Sequence, residues 1–394
     1  MKHPQEATIH KLYRAGILKG IDEAYTCNPA ASIKHCEIAA LRQKAVEYMT
    51  AMSQMLWTPK ADIDLTSVRS NYILTAGTAY RGLPYVNEID GSLEEFSHYV
   101  EDGVYSGPVE GLTCIGVDCT SSVLAAWSQV CTSFNCTWTR AMLPTYTPDN
   151  GIIPVGDYVI PDGAQNTNLV FETNTEQEMY AAYAQLKPAD AVVNYTTRGH
   201  ARMVVTEPVL QYKSDGSISG LSYLHTTEIV SPRTNHGDYE TCWRVEKKYY
   251  FFDLSRECYI PLTCAEFVTG EAETPTLSVS ENNTAETILA NNGLTGTLTS
   301  NYRMIQVEVV ITDTTGTVAA QTVVYPLNTV KLGVGNYQMV SKSFDLTQLN
   351  GQLNIAALDA GRYTLKLRAK VNGKVKEVLS VTFVKTTTEI GIGE

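Results

Sequence analysis

The sequence predicts an α+β protein with a helical start, a mixed middle region and an all-β end. A run near the start repeats its apolar residues every three or four positions, which is the spacing of an amphipathic helix. The end of the chain alternates apolar and polar residues in short runs separated by turn signals, which is the pattern of strands. Between the two, short helical runs and strand-like runs follow one another, which completes the α+β interpretation.

We expect the first region to be a helical segment over residues 1–55. It reads IHKLYRAGIL, a break at Gly20, a loop through Asn28 and Pro29, and then the helical run EIAALRQKAVEYMTAMSQML. Ser32 is the candidate cap of this second helix, because a serine hydroxyl accepts a hydrogen bond from the first turn.

The other two regions are a mixed α/β domain over 56–270 and a β domain over 271–394, joined by the polar stretch ETPTLSVSENNT. In the last region, runs such as MIQVEVVITD and RYTLKLRAKV alternate apolar and polar residues. About 110 residues with this rhythm predict an antiparallel sandwich of immunoglobulin-like type.

Composition and charge exclude several classes of protein. A chain of 394 residues that is 44% hydrophobic and 18% charged can fold into two or three packed domains. Its net charge of −12 argues against a nucleic-acid partner, since phosphate binding needs a basic face. No apolar run approaches the roughly 20 residues that cross a bilayer, and the first residues lack the apolar core of a signal peptide.

The chain has nine cysteines, so in an oxidising compartment at least one stays unpaired or pairs between chains. The cysteines other than Cys119 either pack in the core or form disulfides. Cys131 and Cys136 can bridge if the region bends, and Cys258 and Cys264 are spaced for a loop closure. Cys114 can pair with either set, which leaves Cys119 free. No second close cysteine pair with flanking histidines completes a zinc set, so we expect no metal and no cofactor.

The segment GVDCTSSVLAAWSQV carries the candidate nucleophile. Gly116 permits a tight turn, Asp118 is a good cap, and the apolar run that follows is helical, which places Cys119 at a helix N-terminus. Unpaired N–H groups and the helix dipole favour a thiolate there, and the thiolate is the attacking species. The competing interpretation of Cys119 is a buried structural thiol.

A cysteine nucleophile needs a base, and LKPADAVVNYTTRGHARMVV supplies one. This segment predicts two paired strands, with His200 and Arg202 on one face of the second. The strand ending in LHTTEIV returns toward His200. We expect His225 to be the third polar member, with Glu228 and Asn235 as alternatives.

Four landmarks in chain order resemble the NlpC-type cell-wall cysteine peptidases, a family with a papain-like fold. YRGLPYVN resembles the Pro-Tyr motif that precedes the nucleophile, and GVDCTSSV resembles the motif Asp-Cys-Ser-Gly-Phe-Val. LKPAD resembles the Leu-Lys-Pro-Gly-Asp turn, and GHARMVV resembles the Gly-His-Val-Gly strand. The landmarks cover about residues 70 to 230. Departures include Thr120 and Ser121 for Ser-Gly, and Arg202 for a small residue.

The resemblance implies a hydrolase that cleaves amide bonds in peptidoglycan stem peptides. Cys119, His200 and His225 are then the catalytic residues, and Tyr85, Asp118 and Arg202 are substrate-binding residues, with Arg202 holding a substrate carboxylate. The implied partners are stem peptides and cell-wall polysaccharide, and the implied location is extracellular or on the cell surface. Two alternatives stay open: an amidase or acyltransferase with another substrate, and a surface scaffold that has lost activity.

A second resemblance lies at the start of the chain. IHKLYRAGILKGIDEAYTCNPAASIKHCEIAAL is similar to part of an S-layer homology repeat, with a Leu-x-x-x-Gly-Ile helix end and a Pro-bearing loop. Lys34 and His35 replace the Thr and Arg that hold cell-wall polymer in that family. The alternative is a plain helical brace.

Overall fold

The computed structural model describes residues 29–87, 91–110, 113–132, 138–146, 151–332 and 335–386, excluding the side chains of 29–36, 232 and 328–339. The fold is mixed α and β, with more strand than helix. The helices are α1 (Pro29–Gln54), α2 (Leu93–His98), α3 (Cys119–Trp127), α4 (Asn168–Thr173), α5 (Glu176–Tyr183), α6 (Phe251–Arg256), α7 (Glu266–Thr269), α8 (Ala285–Ala290) and α9 (Asn350–Leu353).

The first twelve strands belong to the region before residue 270. They are β1 (Leu56–Pro59), β2 (Ile63–Asp64), β3 (Ile73–Leu74), β4 (Tyr80–Arg81), β5 (Val100–Glu101), β6 (Val104–Tyr105), β7 (Ile152–Pro154), β8 (Ala191–Tyr195), β9 (Gly199–Val204), β10 (Tyr223–His236), β11 (Tyr239–Tyr250) and β12 (Ile260–Cys264). Ten of them form one sheet in the order β5-β6-β1-β4-β11-β10-β9-β8-β12-β7. Its centre, β8 to β11, is antiparallel.

Helix α3 packs on this sheet against β9 and β10, and α1 packs against α3. Every residue of α3 is buried, as expected of a helix that is apolar or small on all sides. Helix α3 is therefore the central helix of this core.

Helix α1 begins at Pro29, before the predicted cap Ser32. Proline is favoured in a first helical turn, because its missing N–H would have no partner there. Met49 and Met52 of α1 lie in the same hydrophobic core as the large sheet, so the helix is part of that core rather than a separate segment. Residues 1–28, which hold most of the stretch similar to an S-layer homology repeat, lie outside the described residues.

The region after residue 270 has its own hydrophobic core. Its strands are β13 (Leu277–Val279), β14 (Thr297–Ser300), β15 (Gln306–Asp313), β16 (Val318–Val324), β17 (Leu327–Leu332), β18 (Gly335–Val340), β19 (Ser343–Asp345), β20 (Gly361–Val371) and β21 (Lys374–Lys385). They form a three-stranded sheet, β13-β14-β19, a four-stranded sheet, β16-β15-β20-β21, and the hairpin β17-β18.

The sequence predicted strands only in this region, and the structure adds two short helices, α8 and α9. Thr284 and Thr287 form a capping box that starts α8, a local signal that the strand-based interpretation overlooked.

Polar contacts join the two cores. Lys44 Nζ donates to the carbonyl oxygen of Asn372 at 2.6 Å, and Tyr302 Oη donates to that of Val130 at 3.1 Å. The C-terminal region therefore contacts both α1 and the chain just after α3. Among the described residues, no helix is both long enough and apolar enough to traverse a bilayer.

Candidate active site

Cys119 is the first residue of α3, and Asp118 caps the helix. Asp118 Oδ1 accepts the N–H groups of Thr120 at 2.8 Å and Ser121 at 2.7 Å, while the Asp118 N–H donates to Ser121 Oγ at 2.8 Å. The N–H of Ser122 donates to the Asp118 carbonyl oxygen. Within the described residues, this leaves the Cys119 N–H as the unengaged donor of the first turn.

The structure confirms Asp118 as the cap of α3, and its contact with substrate stays a prediction. The oxygen that accepts two hydrogen bonds from α3 fixes the start of the helix and so the direction of the Cys119 side chain. The side chain of Cys119 is almost buried, with 7% of the residue exposed.

The Pro-Tyr segment lies beside the chain that leads into Cys119, the candidate nucleophile. Val117 donates its N–H to the Pro84 carbonyl at 3.1 Å, and Val86 donates to Val117 at 3.0 Å, a short parallel bridge. Gly116 permits this approach, since a Cβ there would lie 2.5 Å from the Pro84 oxygen. Tyr85 thereby faces the site: burial raises the pKa of its hydroxyl, and the neighbouring Cys119 raises it further.

His200 lies on β9, the strand under α3, and its ring is 21% exposed. Its Nε2 lies 2.5 Å from Glu228 Oε2, and Cys119 is close enough to raise the pKa of the ring. The preceding Gly199 packs against Thr139, whose Oγ1 would be 2.4 Å from a Cβ at that position. Cys119, His200 and Glu228 therefore follow one another in a chain of interacting polar groups, in which His200 and Glu228 are hydrogen-bonded.

Charge is stabilised along this chain. Burial lowers the pKa of His200, but Cys119 and Glu228 outweigh burial and raise it to about 9. Burial raises the pKa of Glu228, but the hydrogen bond from His200 and the charge of Arg202 outweigh it and lower the pKa to about 2. At neutral pH the pair is therefore an imidazolium and a carboxylate.

Glu228, not His225, is the group that reaches His200. On β10, Thr226 pairs with Val204 of β9, so residue 228 comes opposite Arg202, on the face that also carries His200. His225 is an odd number of residues from Glu228 and lies on the other face, where its Nδ1 is 3.1 Å from Thr206 Oγ1. The expectation that His225 orients His200 is therefore wrong for a geometric reason.

The other alternative, Asn235, is also excluded from this position. It lies near the tip of the β10–β11 hairpin, opposite Glu240, and is exposed.

Arg202 binds a carboxylate of the protein itself, and that it also holds a substrate carboxylate stays a prediction. Its Nε donates to Glu228 Oε2 at 2.8 Å, and only 5% of the residue is exposed. Its guanidinium carbon lies 3.9 Å from the ring centre of Tyr249 and 4.1 Å from that of Tyr259. Arg202 therefore holds Glu228 in place from between two aromatic rings.

Tyr249 and Tyr259 are site residues that the sequence analysis missed. Tyr249 donates its hydroxyl to Glu228 Oε1, and burial raises the pKa of Tyr249 to about 12. The Tyr259 ring stands edge-on to the ring of His200, with centres 6.3 Å apart. Nothing in YYFF or ECYI distinguishes these tyrosines from core residues, so no sequence signal identified them.

A cavity of about 670 Å³ lies elsewhere, between α2 and the C-terminal region, and its lining includes Glu95, Tyr325 and Phe344. The catalytic candidates do not line it.

Comparison with known proteins adds nothing to the assignment, since no protein-family model matches the chain and no curated protein is significantly similar to it.

Proposed function

We propose that this protein is a cysteine hydrolase with Cys119 as nucleophile, His200 as general base and acid, and Glu228 as the group that orients His200. The observation that carries the proposal is the chain Cys119–His200–Glu228, in which the sulfur is at a helix N-terminus and the carboxylate is fully buried. A nucleophile, a base beside it and an acid that orients the base are the requirements of covalent acyl transfer.

The mechanism follows from these positions. The imidazolium of His200 is the form that holds the proton taken from Cys119, and the resulting thiolate attacks the carbonyl carbon of an amide. The free N–H of Cys119 donates to the oxyanion that forms, and His200 then protonates the leaving amine. Water, deprotonated by His200, releases the acyl group from the sulfur. Throughout, Glu228 holds the ring and stabilises its positive charge.

The proposed substrates are peptidoglycan stem peptides. Support comes from the four motifs that resemble NlpC-type cell-wall cysteine peptidases and from the packing of α3, which begins at Cys119, on an antiparallel sheet. We further propose an extracellular or cell-surface location, since the substrate is there, and an accessory sandwich of immunoglobulin-like type after residue 270. Attachment to cell-wall polysaccharide through the N-terminal segment stays a prediction.

Digestion of purified peptidoglycan tests the proposal. The wild-type protein is expected to release new peptide amines, identified by mass spectrometry of the soluble products, and Cys119→Ala is expected to release none while unfolding at an unchanged temperature. Cys114→Ala is the matched control, because Cys114 is a buried cysteine outside the chain of contacts. Equal digestion by Cys119→Ala and wild type would contradict the proposal.

The same experiment separates the alternatives. If peptidoglycan is inert but a panel of small amides or thioesters is cleaved in a Cys119-dependent way, the protein is an amidase or acyltransferase with another substrate. If both are inert and Cys119 also fails to react with a thiol probe, the site belongs to an inactive scaffold.

A further inference from the structure

Two cysteines, Cys131 and Cys264, form a pair that lies apart from the proposed catalytic chain. Cys131 follows α3, its N–H donating to the Trp127 carbonyl at 2.9 Å, and Cys264 is the last residue of β12. The two sulfur atoms are 2.7 Å apart, although 133 positions separate the residues. Glu266, at the start of α7, brings a carboxylate oxygen within 4.8 Å of both. All three residues are buried.

The separation is too short for two ordinary thiols in contact. Non-bonded heavy atoms settle about 3.5–4.0 Å apart, whereas a disulfide bond is about 2.05 Å long. At 2.7 Å the two sulfurs are well inside the first distance and approach the second. The fold thus brings the two side chains to a position from which a small rotation completes a bond.

A shared metal ion fits the distance less well. Two thiolates on one tetrahedral zinc, each about 2.3 Å from the metal, are about 3.8 Å apart, which is more than 1 Å longer than the separation here. The group also offers only three ligands, one fewer than a closed structural zinc site uses.

We propose that Cys131 and Cys264 form a disulfide bond that ties the end of the nucleophile helix to β12. The oxidant is a disulfide of the thiol-exchange class, such as oxidised glutathione. One cysteine thiolate attacks a sulfur of the oxidant and releases one thiol, giving a mixed disulfide. The second thiolate then attacks the protein sulfur of that mixed disulfide and releases the second thiol. Two protein S–H bonds are lost, one S–S bond is gained, and the oxidant is reduced to two thiols.

The burial of both cysteines determines at which stage of folding the disulfide can form. Cys131 is 1% exposed and Cys264 is fully buried, and burial raises the pKa of both thiols. The exchange therefore takes place while the chain folds, before the core closes, and the finished bond is then shielded from reductants. The pairing also leaves Cys119, at the other end of α3, as a free thiol.

A comparison of thiol counts tests the proposal. Protein refolded with oxidised and reduced glutathione is denatured, and its free thiols are counted for the wild type and for the double variant Cys131→Ala/Cys264→Ala. A disulfide predicts the same count in both, because the two removed sulfurs were not free. A count two lower in the double variant would overturn the proposal. The control Cys114→Ala, which removes a free thiol, should lower the count by one.

Peptide mapping of the wild type gives an answer that does not depend on how a variant folds. Proteolysis without reduction is expected to yield one linked species that contains both Cys131 and Cys264, and reduction should split it. Separate peptides, with or without one bound zinc per chain, would overturn the proposal. Neither measurement uses hydrolytic activity, so the outcome is independent of the proposed function.

Discussion

Glu228 Oε2 lies 2.5 Å from the Nε2 of His200, and the same oxygen accepts the Nε–H of Arg202 at 2.8 Å. One fully buried carboxylate oxygen thus contacts both the candidate base, His200, and Arg202, whose positive charge neutralises the carboxylate. A buried carboxylate is stable only when it is paired in this way. The arrangement explains why Arg202 replaces the small residue of the resembling motif.

Replacing Glu228 by glutamine removes the charge that favours the imidazolium and keeps the size of the side chain. We expect the pKa of His200 to fall from about 9, and kcat/KM to fall by about 10²–10⁴-fold. An NMR titration of the His200 ring and steady-state kinetics measure the two effects. His225→Asn is the matched control and should retain activity, since His225 contacts Thr206 instead. A larger loss in His225→Asn than in Glu228→Gln contradicts the assignment.

The His200–Glu228 pair makes stability depend on pH in a defined window. The raised pKa of His200 means that its contribution is complete below about 6.5 and is lost as the pH rises through about 9. The lowered pKa of Glu228 means that its contribution is complete above about 4.5 and is lost as the pH falls toward 2.

We therefore expect the free energy of unfolding of the wild type to exceed that of His200→Gln most between about pH 4.5 and 6.5, with a smaller difference above pH 9. Urea unfolding at pH values inside and above this window measures it. A difference that does not vary with pH speaks against the pair.

Thiol labelling distinguishes Cys119 from the other cysteines. At neutral pH we expect iodoacetamide to modify Cys119 before Cys258, although Cys258 is more exposed, because the His200 imidazolium lies beside the Cys119 sulfur and burial raises the pKa of Cys258. His200→Ala should slow the modification of Cys119 at least about tenfold. Mass spectrometry of the labelled peptides gives the order, and labelling of Cys258 first is the contrary result.

Ala189 is strained in the turn that precedes β8. Its φ is 77°, a left-handed conformation that favours glycine, the residue found at this position in the resembling Leu-Lys-Pro-Gly-Asp turn. Ala189→Gly is therefore expected to raise the free energy of unfolding by about 1 kcal/mol, measured by the midpoint of urea unfolding. Ala191→Gly, two residues further on in β8, should instead lower it. A lower midpoint for Ala189→Gly contradicts the strain argument.

The parts of the site that sequence analysis predicted are those that depend on residues close together in the sequence. A turn glycine, a capping aspartate and an apolar run place Cys119 at a helix start, and alternation places His200 and Arg202 on one face of a strand. The α+β character followed from patterns of the same short range. The early start of α1 and the capped helix α8 had local signals too, and these were overlooked.

What only the tertiary structure decided are the contacts between residues that are distant in sequence. The register of β10 on β9 selected Glu228 over His225, because a shift of one residue exchanges the two faces of a strand. Packing brought Tyr249 and Tyr259 onto Arg202, and it brought Cys264, the end of β12, to Cys131, which follows α3. The sequence alone determined which side chains have the chemistry of a nucleophile or a base and where each lies on its own helix or strand. It could do so because helix caps and strand alternation depend on residues only a few positions apart. Which of them meet was settled by strand pairing, which no local pattern encodes.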